Sequence, residues 1–268
     1  MPEAQRKDTE LLNKVVAYAN DERLYNEFRT RALLNEARAF YERCNTSEAV
    51  AALGIMYNVI GNAEEAVNKF RAALALSNGG STKLFVRRNF GVALNRSGDP
   101  IGALQQVRAA WDEMPGSPQI AADIADYCFI SGRLFEARDW LAVFEGLDRK
   151  VSSEVEFSYD DIIPLSIDVL KSQGIETDVI SKLIEVAVEL MRERQIHSEI
   201  RPSIMRDEFS SWIGFQALVP MPPLEVVHLN RELSERLSVL PSLDKMGTAA
   251  IFNFRVDEAA CLSARAIS

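Results

Sequence analysis

Histidine and cysteine are scarce in this chain, and their scarcity limits the chemistry that it can perform. The 268 residues include two histidines, His197 and His228, and three cysteines. Neither histidine has a cysteine or a second histidine at ligand spacing, so no metal site is expected. The cysteines, Cys44, Cys128 and Cys261, are odd in number and far apart, which is typical of a reducing compartment rather than of a disulfide framework.

Long hydrophobic stretches and an excess of positive charge are also missing. No apolar run approaches the length of a membrane span, and residues 1–10 are polar with no hydrophobic segment for secretion, so we expect a cytoplasmic protein. Asp and Glu outnumber Lys and Arg by 39 to 30. Because phosphate contacts need clustered cations, no nucleic-acid partner is expected, and no membrane partner either.

The negative charge is concentrated in the second half of the chain. Residues 1–150 contain 19 Lys and Arg against 20 Asp and Glu, whereas residues 151–268 contain 11 against 19. Two interpretations are open. The acidic residues either keep the protein in solution, or they meet a basic surface of a partner.

What the chain does contain is an internal repeat with the length of one helical hairpin. Its central glycines, Gly61, Gly98 and Gly132, are 37 and 34 residues apart, within the range of α-solenoid repeats. Each unit also carries small residues on both sides of its centre, which predicts two helices in close contact. These small residues are Gly54, Gly91 and Ala125 before the centre and Ala66, Ala103 and Ala137 after it.

The first unit explains why the pattern predicts a hairpin. Apolar residues recur at helical spacing in residues 46–57 and again in residues 63–76. Between them, Gly61 can adopt the left-handed conformation that ends a helix, and Asn62 can cap the next one. The connection is short, so the two helices are expected to be antiparallel.

The three units together resemble the tetratricopeptide repeat. The residues at its signature positions are Val50, Leu53, Gly54, Tyr57, Ala66, Phe70, Ala73 and Asn78; Phe90, Gly91, Leu94, Ala103, Val107, Ala110 and Pro115; and Ala121, Ile124, Ala125, Cys128, Ala137, Leu141 and the bulky Phe144. The resemblance covers residues 46–194 if a degenerate fourth unit around Gly174 is included. It implies an α-solenoid of helical hairpins, with residues 1–45 as a helical cap, that binds a protein or peptide in its concave groove.

The pattern changes after Gln195. Residues 199–205, 212–219 and 250–256 read as strands, and apolar residues recur at helical spacing from Val226 to Leu240. Pro202 places the first of these strands at an edge. We therefore expect three regions: the cap (1–45), the solenoid (46–195) and a small α/β module with a βαβ unit (196–268).

No catalytic constellation or cofactor motif is found. His197 and Glu199 form the H-x-E of zinc deaminases, but no P-C-x-x-C follows. Gly79 and Gly80 lack the lysine of a phosphate-binding loop. An enzyme is therefore not expected.

The resemblance implies that the first helix of each hairpin lines the groove. Its candidate partner-binding residues are Asn58, Phe85, Arg88, Asn89, Asn95, Arg96, Gln119, Asp123, Asp126 and Phe129. The arginines and asparagines of the second unit predict an acidic extended or helical partner segment. The carboxylate clamp of tetratricopeptide co-chaperones is not expected, because only Asn89 matches the residues that form it.

The expected function is therefore that of a protein-binding adaptor or regulatory scaffold. The alternative is an enzyme or ligand-binding regulator whose activity resides in the C-terminal module, with Arg201, Arg206, His228 and Arg231 as candidate residues.

Overall fold

The fold was derived from a computed structural model, which describes residues 3–21, 26–147, 159–175, 179–206, 208, 210–241 and 249–257. In this part of the chain, the protein is mainly helical, with eleven helices and a small three-stranded mixed sheet near the C-terminus. The helices are α1 (Glu3–Ala19), α2 (Glu27–Arg43), α3 (Ser47–Val59), α4 (Ala63–Leu76), α5 (Gly80–Arg96), α6 (Pro100–Glu113), α7 (Pro118–Ile130), α8 (Leu134–Gly146), α9 (Ile162–Ser172), α10 (Ile180–Glu193) and α11 (Pro223–Ser238). None of the described helices is both long and apolar enough to cross a membrane.

The predicted hairpin turns are present, and their glycines have the predicted conformation. Gly98 has φ +88° and Gly132 has φ +75°, a region that side chains with a β-carbon rarely adopt. After Gly98, the Asp99 amide donates to the Leu94 carbonyl at 2.8 Å, and the Asp99 carboxylate accepts from the Gly102 amide at 2.9 Å. Asp99 therefore closes the end of α5 and caps the start of α6.

Successive helices pack against one another from α3 to α8. Helices α3 and α4 approach closely because Gly54 lies against Phe70, where an added β-carbon would be 3.2 Å from the ring. Both α1 and α2 pack on α3. The small residues at the helix contacts thus have the role that the repeat pattern predicts.

The three predicted strands are also present: β1 (Ile200–Arg206), β2 (Ser211–Val219) and β3 (Ala250–Val256). Strand β2 is central, antiparallel to β1 and parallel to β3, with α11 between β2 and β3 in sequence. Pro202 lies on β1 opposite Phe215, at the predicted edge position. The strand order therefore contains the predicted βαβ unit.

Helices α9 and α10 form where the fourth unit is expected, but they pack differently from the earlier pairs. Helix α9 contacts α8, β1 and β2, whereas α10 contacts α11 and β3. The sheet thus takes the place of the partner helix that a further hairpin would supply. The insertion that the sequence indicates at residues 151–159 lies mostly outside the described residues.

One continuous buried core runs from Leu11 in α1 to Phe254 in β3. The hairpin turns contribute to it directly, because an added β-carbon on Gly98 would lie 2.5 Å from Met191 Cε and 2.9 Å from the Ser198 carbonyl oxygen. The turns that end α5 and α7 are therefore in contact with the C-terminal part of the chain. This contact brings β1 to the helices that carry most of the candidate residues.

Candidate functional site

A cavity of about 710 Å³ opens between the first helices of the second and third hairpins. We call it the α5–α7 cavity. Its lining residues are Arg88, Val92, Asn95 and Arg96 of α5, Gln119, Asp123, Asp126, Tyr127 and Ile130 of α7, and Asn20, Tyr159 and Glu199 from other segments. Six of the ten residues that the sequence singled out are therefore brought together here.

Arg88 and Asp123 join the two helices through a bidentate ion pair. Arg88 Nε donates to Asp123 Oδ2 at 2.5 Å, and Nη2 donates to Oδ1 at 3.2 Å. Gln119 Nε2 also donates to Asp123 Oδ1, at 3.2 Å. The two charges compensate each other, so Arg88 does not offer an unpaired charge to an acidic partner as the sequence suggested.

Asn95 links α5 to the segment that leads into β1. Its Nδ2 donates to Glu199 Oε1 at 3.0 Å across 104 residues of sequence. Because a carboxylate only accepts hydrogen bonds, this contact fixes which end of the amide faces Glu199. The Asn95 side chain is buried, with 6% exposed, and its Oδ1 has no hydrogen-bond partner among the described residues. A buried acceptor without a donor costs about 1–3 kcal/mol.

Arg96, the residue after Asn95 in α5, differs from Asn95 in both exposure and charge. Its side chain is exposed, it lines the cavity, and it forms no ion pair with a described residue. The lining thus holds two guanidinium groups and three carboxylates, those of Asp123, Asp126 and Glu199. Arg88 is paired with Asp123, and Arg201 Nε lies 3.6 Å from Glu199 Oε2. Arg96 is the exposed charged residue of the lining.

Two tyrosines line the same interior. Burial raises the pKa of Tyr127 far above its usual value, and the carboxylates of Asp123 and Asp126 raise it further. Burial, with Asp126 and Glu199, raises the pKa of Tyr159 to about 12. Both phenols are therefore protonated at neutral pH. Burial is the main cause of both pKa shifts, and the neighbouring carboxylates add to it, whereas Arg88 opposes the shift of Tyr127 and Arg201 that of Tyr159.

Four candidate residues are not part of the cavity lining. Phe129 was expected on the groove surface, but it is completely buried, with its ring centroid 5.1 Å from that of Tyr159. Phe129 is covered because Tyr159 packs against its ring, and α7 also contacts β1. Asn89 donates through Nδ2 to the Phe85 carbonyl at 2.9 Å, and Phe85 and Asn58 are half-buried elsewhere.

Sequence reasoning missed Glu199, Tyr127 and Tyr159 as members of this site. Glu199 and Tyr159 lie outside the three regular units, so their position relative to α5 and α7 follows no repeat period. Tyr127 lies within a unit, but its apolar surroundings on α7 gave it the pattern of a core residue. No signal in a single sequence identifies the first two.

The residues of the alternative function do not assemble into a site. His228 lines a cavity of about 180 Å³ with Arg194, Glu225 and Glu232, and neither Arg201, Arg206 nor Arg231 is among its lining residues. Arg231 Nε lies 3.6 Å from the exposed Glu235. Within the described residues, no group of three or more His, Cys, Asp or Glu is placed to hold a metal ion.

No protein-family model matches the sequence, and no curated protein matches it significantly. The comparison with the tetratricopeptide repeat therefore rests on the residues and on the helix packing described above.

Proposed function

We propose that this protein is a cytoplasmic adaptor built on a tetratricopeptide-like α-solenoid, and that it binds a partner protein through the α5–α7 cavity. The observation that carries the proposal is the convergence of six candidate residues from the first helices of two successive hairpins on one concave, polar surface. In solenoid proteins, a concave surface of this kind is the usual binding surface.

The fixed geometry of the cavity also supports a binding role. The Arg88–Asp123 pair holds α5 and α7 together, and the Asn95–Glu199 hydrogen bond holds the residue that precedes β1 against α5. A surface that is already ordered loses little conformational entropy when a partner binds. Glu199, the residue that precedes β1, is then part of the binding surface.

The charged lining favours a protein partner over an apolar small molecule. Pockets for small apolar ligands are lined mainly by hydrophobic side chains, whereas Val92 and Ile130 are the aliphatic residues of this lining. Charged and amide groups select a partner by complementary charge and hydrogen bonding.

An affinity pull-down with the full chain tests this proposal. The variant Arg96→Glu reverses an exposed charge that has no ion-pair partner among the described residues, so it is expected to fold normally while losing the partner. Arg31→Glu on α2 reverses an exposed charge outside the cavity and is the control, although Arg31, unlike Arg96, forms an ion pair with Glu27. A partner that both variants retain equally would argue against binding at the α5–α7 cavity.

A further inference from the structure

We propose that the α5–α7 cavity binds the cationic group of a lysine or arginine in a partner segment, and that Arg96 engages an acidic residue a few positions away in that segment. This inference rests on the proposed function and specifies the chemistry of the same site. The expected partner charge in the cavity is thus positive, whereas the arginines of α5 suggest a negative one when the sequence is considered alone.

The first reason is that one of the two arginines is already neutralised. Arg88 contacts both carboxylate oxygens of Asp123, and its side chain is 36% exposed, against 19% for that of Asp123. An acidic ligand would have to compete with a bidentate internal partner. The remaining carboxylates of the lining, Asp126 and Glu199, would repel it as well.

The second reason is the unsatisfied acceptor at Asn95. Its amide nitrogen is held by Glu199, so the side chain cannot turn over to present a donor without losing that hydrogen bond. The oxygen that remains has no partner among the described residues. A ligand that satisfies it must donate a hydrogen bond, and ammonium and guanidinium groups are donors only.

The third reason is the electrostatic character of the interior. Glu199 has an internal counter-charge in Arg201, but Arg201 Nε lies 3.6 Å from Glu199 Oε2 and its side chain is 66% exposed. An exposed pair at this distance is weak. Burial is the main cause of the raised pKa of Tyr159, and Asp126 and Glu199 add to it while Arg201 opposes them, so both carboxylates act on this part of the lining.

Arg96 determines which second charged group the partner must carry beside the cation. It is the exposed charge of the lining and lies next to Asn95 in α5. A simple amine would leave it without a counter-charge, whereas a peptide can carry a basic and an acidic residue a short distance apart. A partner segment of mixed charge therefore satisfies the cavity better than a free small cation does.

Selection from a random peptide library displayed on phage, with the immobilised full chain as bait, tests the inference. The enriched peptides are expected to carry Arg or Lys with Asp or Glu within a few positions. As synthetic peptides, they should bind Glu199→Gln at least about tenfold more weakly than the parent protein, with a similar loss for Asp126→Asn. The matched control Glu189→Gln removes an exposed carboxylate of α10 outside the cavity and should bind them normally.

Three outcomes would overturn the inference. Enrichment of acidic or uncharged peptides would show that the cavity does not select a cationic group. Peptides that bind both cavity variants as tightly as the parent protein would show that their binding site lies elsewhere. Agmatine, which carries a guanidinium and an amine but no peptide, is the probe for a small-cation site; displacement of the peptides by agmatine at equal concentration would rule out a peptide requirement. If no peptide is enriched, this inference fails, while the pull-down with Arg96→Glu still decides the proposed function separately.

Discussion

Gly132 lies so close to Ile180 that a β-carbon added to the glycine would be 2.8 Å from the carbonyl carbon and oxygen of Ile180. The turn between α7 and α8 therefore serves two purposes. Its left-handed glycine ends α7, and its lack of a side chain lets the start of α10 pack against it. Only the first of these purposes is visible in the repeat pattern.

Gly132→Ala is therefore expected to be more damaging than Gly61→Ala, although both glycines have φ +75°. An added β-carbon at Gly61 meets no atom within 4 Å, so that variant loses only the energy of left-handed strain, about 1–2 kcal/mol. Gly132→Ala should lose about 1–3 kcal/mol more, because backbone atoms must move. Urea denaturation of the two variants measures the difference, and equal losses would show that α10 does not pack on this turn.

Truncation after Gln195 should expose a part of the core rather than release an independent module. Removing residues 196–268 deletes Glu199, the partner of Asn95, and Ser198, which packs on Gly98. It also uncovers the faces of α7 and α9 that β1 contacts. We expect a chain that keeps helical circular dichroism but melts at a lower temperature and binds a hydrophobic dye. Unchanged, cooperative melting would instead support a domain boundary at this residue.

The repeat pattern predicts local structure well because each hairpin is specified by its own residues. Helix α4 runs from Ala63 to Leu76, the range that the apolar spacing and the Asn62 cap indicate, and β3 runs from Ala250 to Val256 as its alternation indicates. Such features depend on neighbours within a few residues. They can be read from one sequence for that reason.

The candidate site is only partly predictable because part of it is formed by distant segments. Arg88 and Asp123 occupy equivalent helices of successive units, so the repeat brings them near each other, but nothing in the sequence pairs Asn95 with Glu199. The misplacement of Phe129 has the same origin. Helix α7 is apolar on several faces, and its pattern alone does not indicate which face β1 covers.

The ion pair between Arg88 and Asp123 should contribute a measurable coupling energy. A double-mutant cycle with Arg88→Met and Asp123→Asn is expected to give about 1 kcal/mol, because the pair is bidentate but partly exposed. The same cycle on Arg31 and Glu27, an exposed pair one turn apart in α2, should give about 0.3–0.5 kcal/mol. Equal values would mean that the bidentate Arg88–Asp123 contact couples the two residues no more strongly than an exposed ion pair does.

Asn95→Asp should make the free energy of unfolding depend on pH. The new carboxylate would face Glu199 Oε1, which now accepts from Asn95 Nδ2 at 3.0 Å, and two adjacent carboxylates raise the pKa of the pair. A carboxyl group whose pKa is higher in the folded state stabilises the fold below that pKa, and this stabilisation is lost as the pH rises through it. The variant should therefore be less stable than the parent at pH 7 and approach it on acidification.

Chemical denaturation of both proteins between pH 4 and 7 provides the measurement. Asn58→Asp is a suitable control, since Asn58 is half-buried in α3 and is not part of the cavity lining. If the stability deficit of Asn95→Asp were independent of pH, Glu199 would not lie beside this position.

Site-specific photo-crosslinking from the α5–α7 cavity tests most directly whether this cavity is the partner-binding surface. A benzophenone side chain at Val92 would stand within the lining, and the same group at the exposed Gln105 of α6 would stand outside it. With the partner recovered by affinity pull-down, we expect a covalent product from position 92 that Arg96→Glu abolishes, and little product from position 105. A product from position 105 alone, or one from position 92 that Arg96→Glu leaves unchanged, would contradict binding at this cavity.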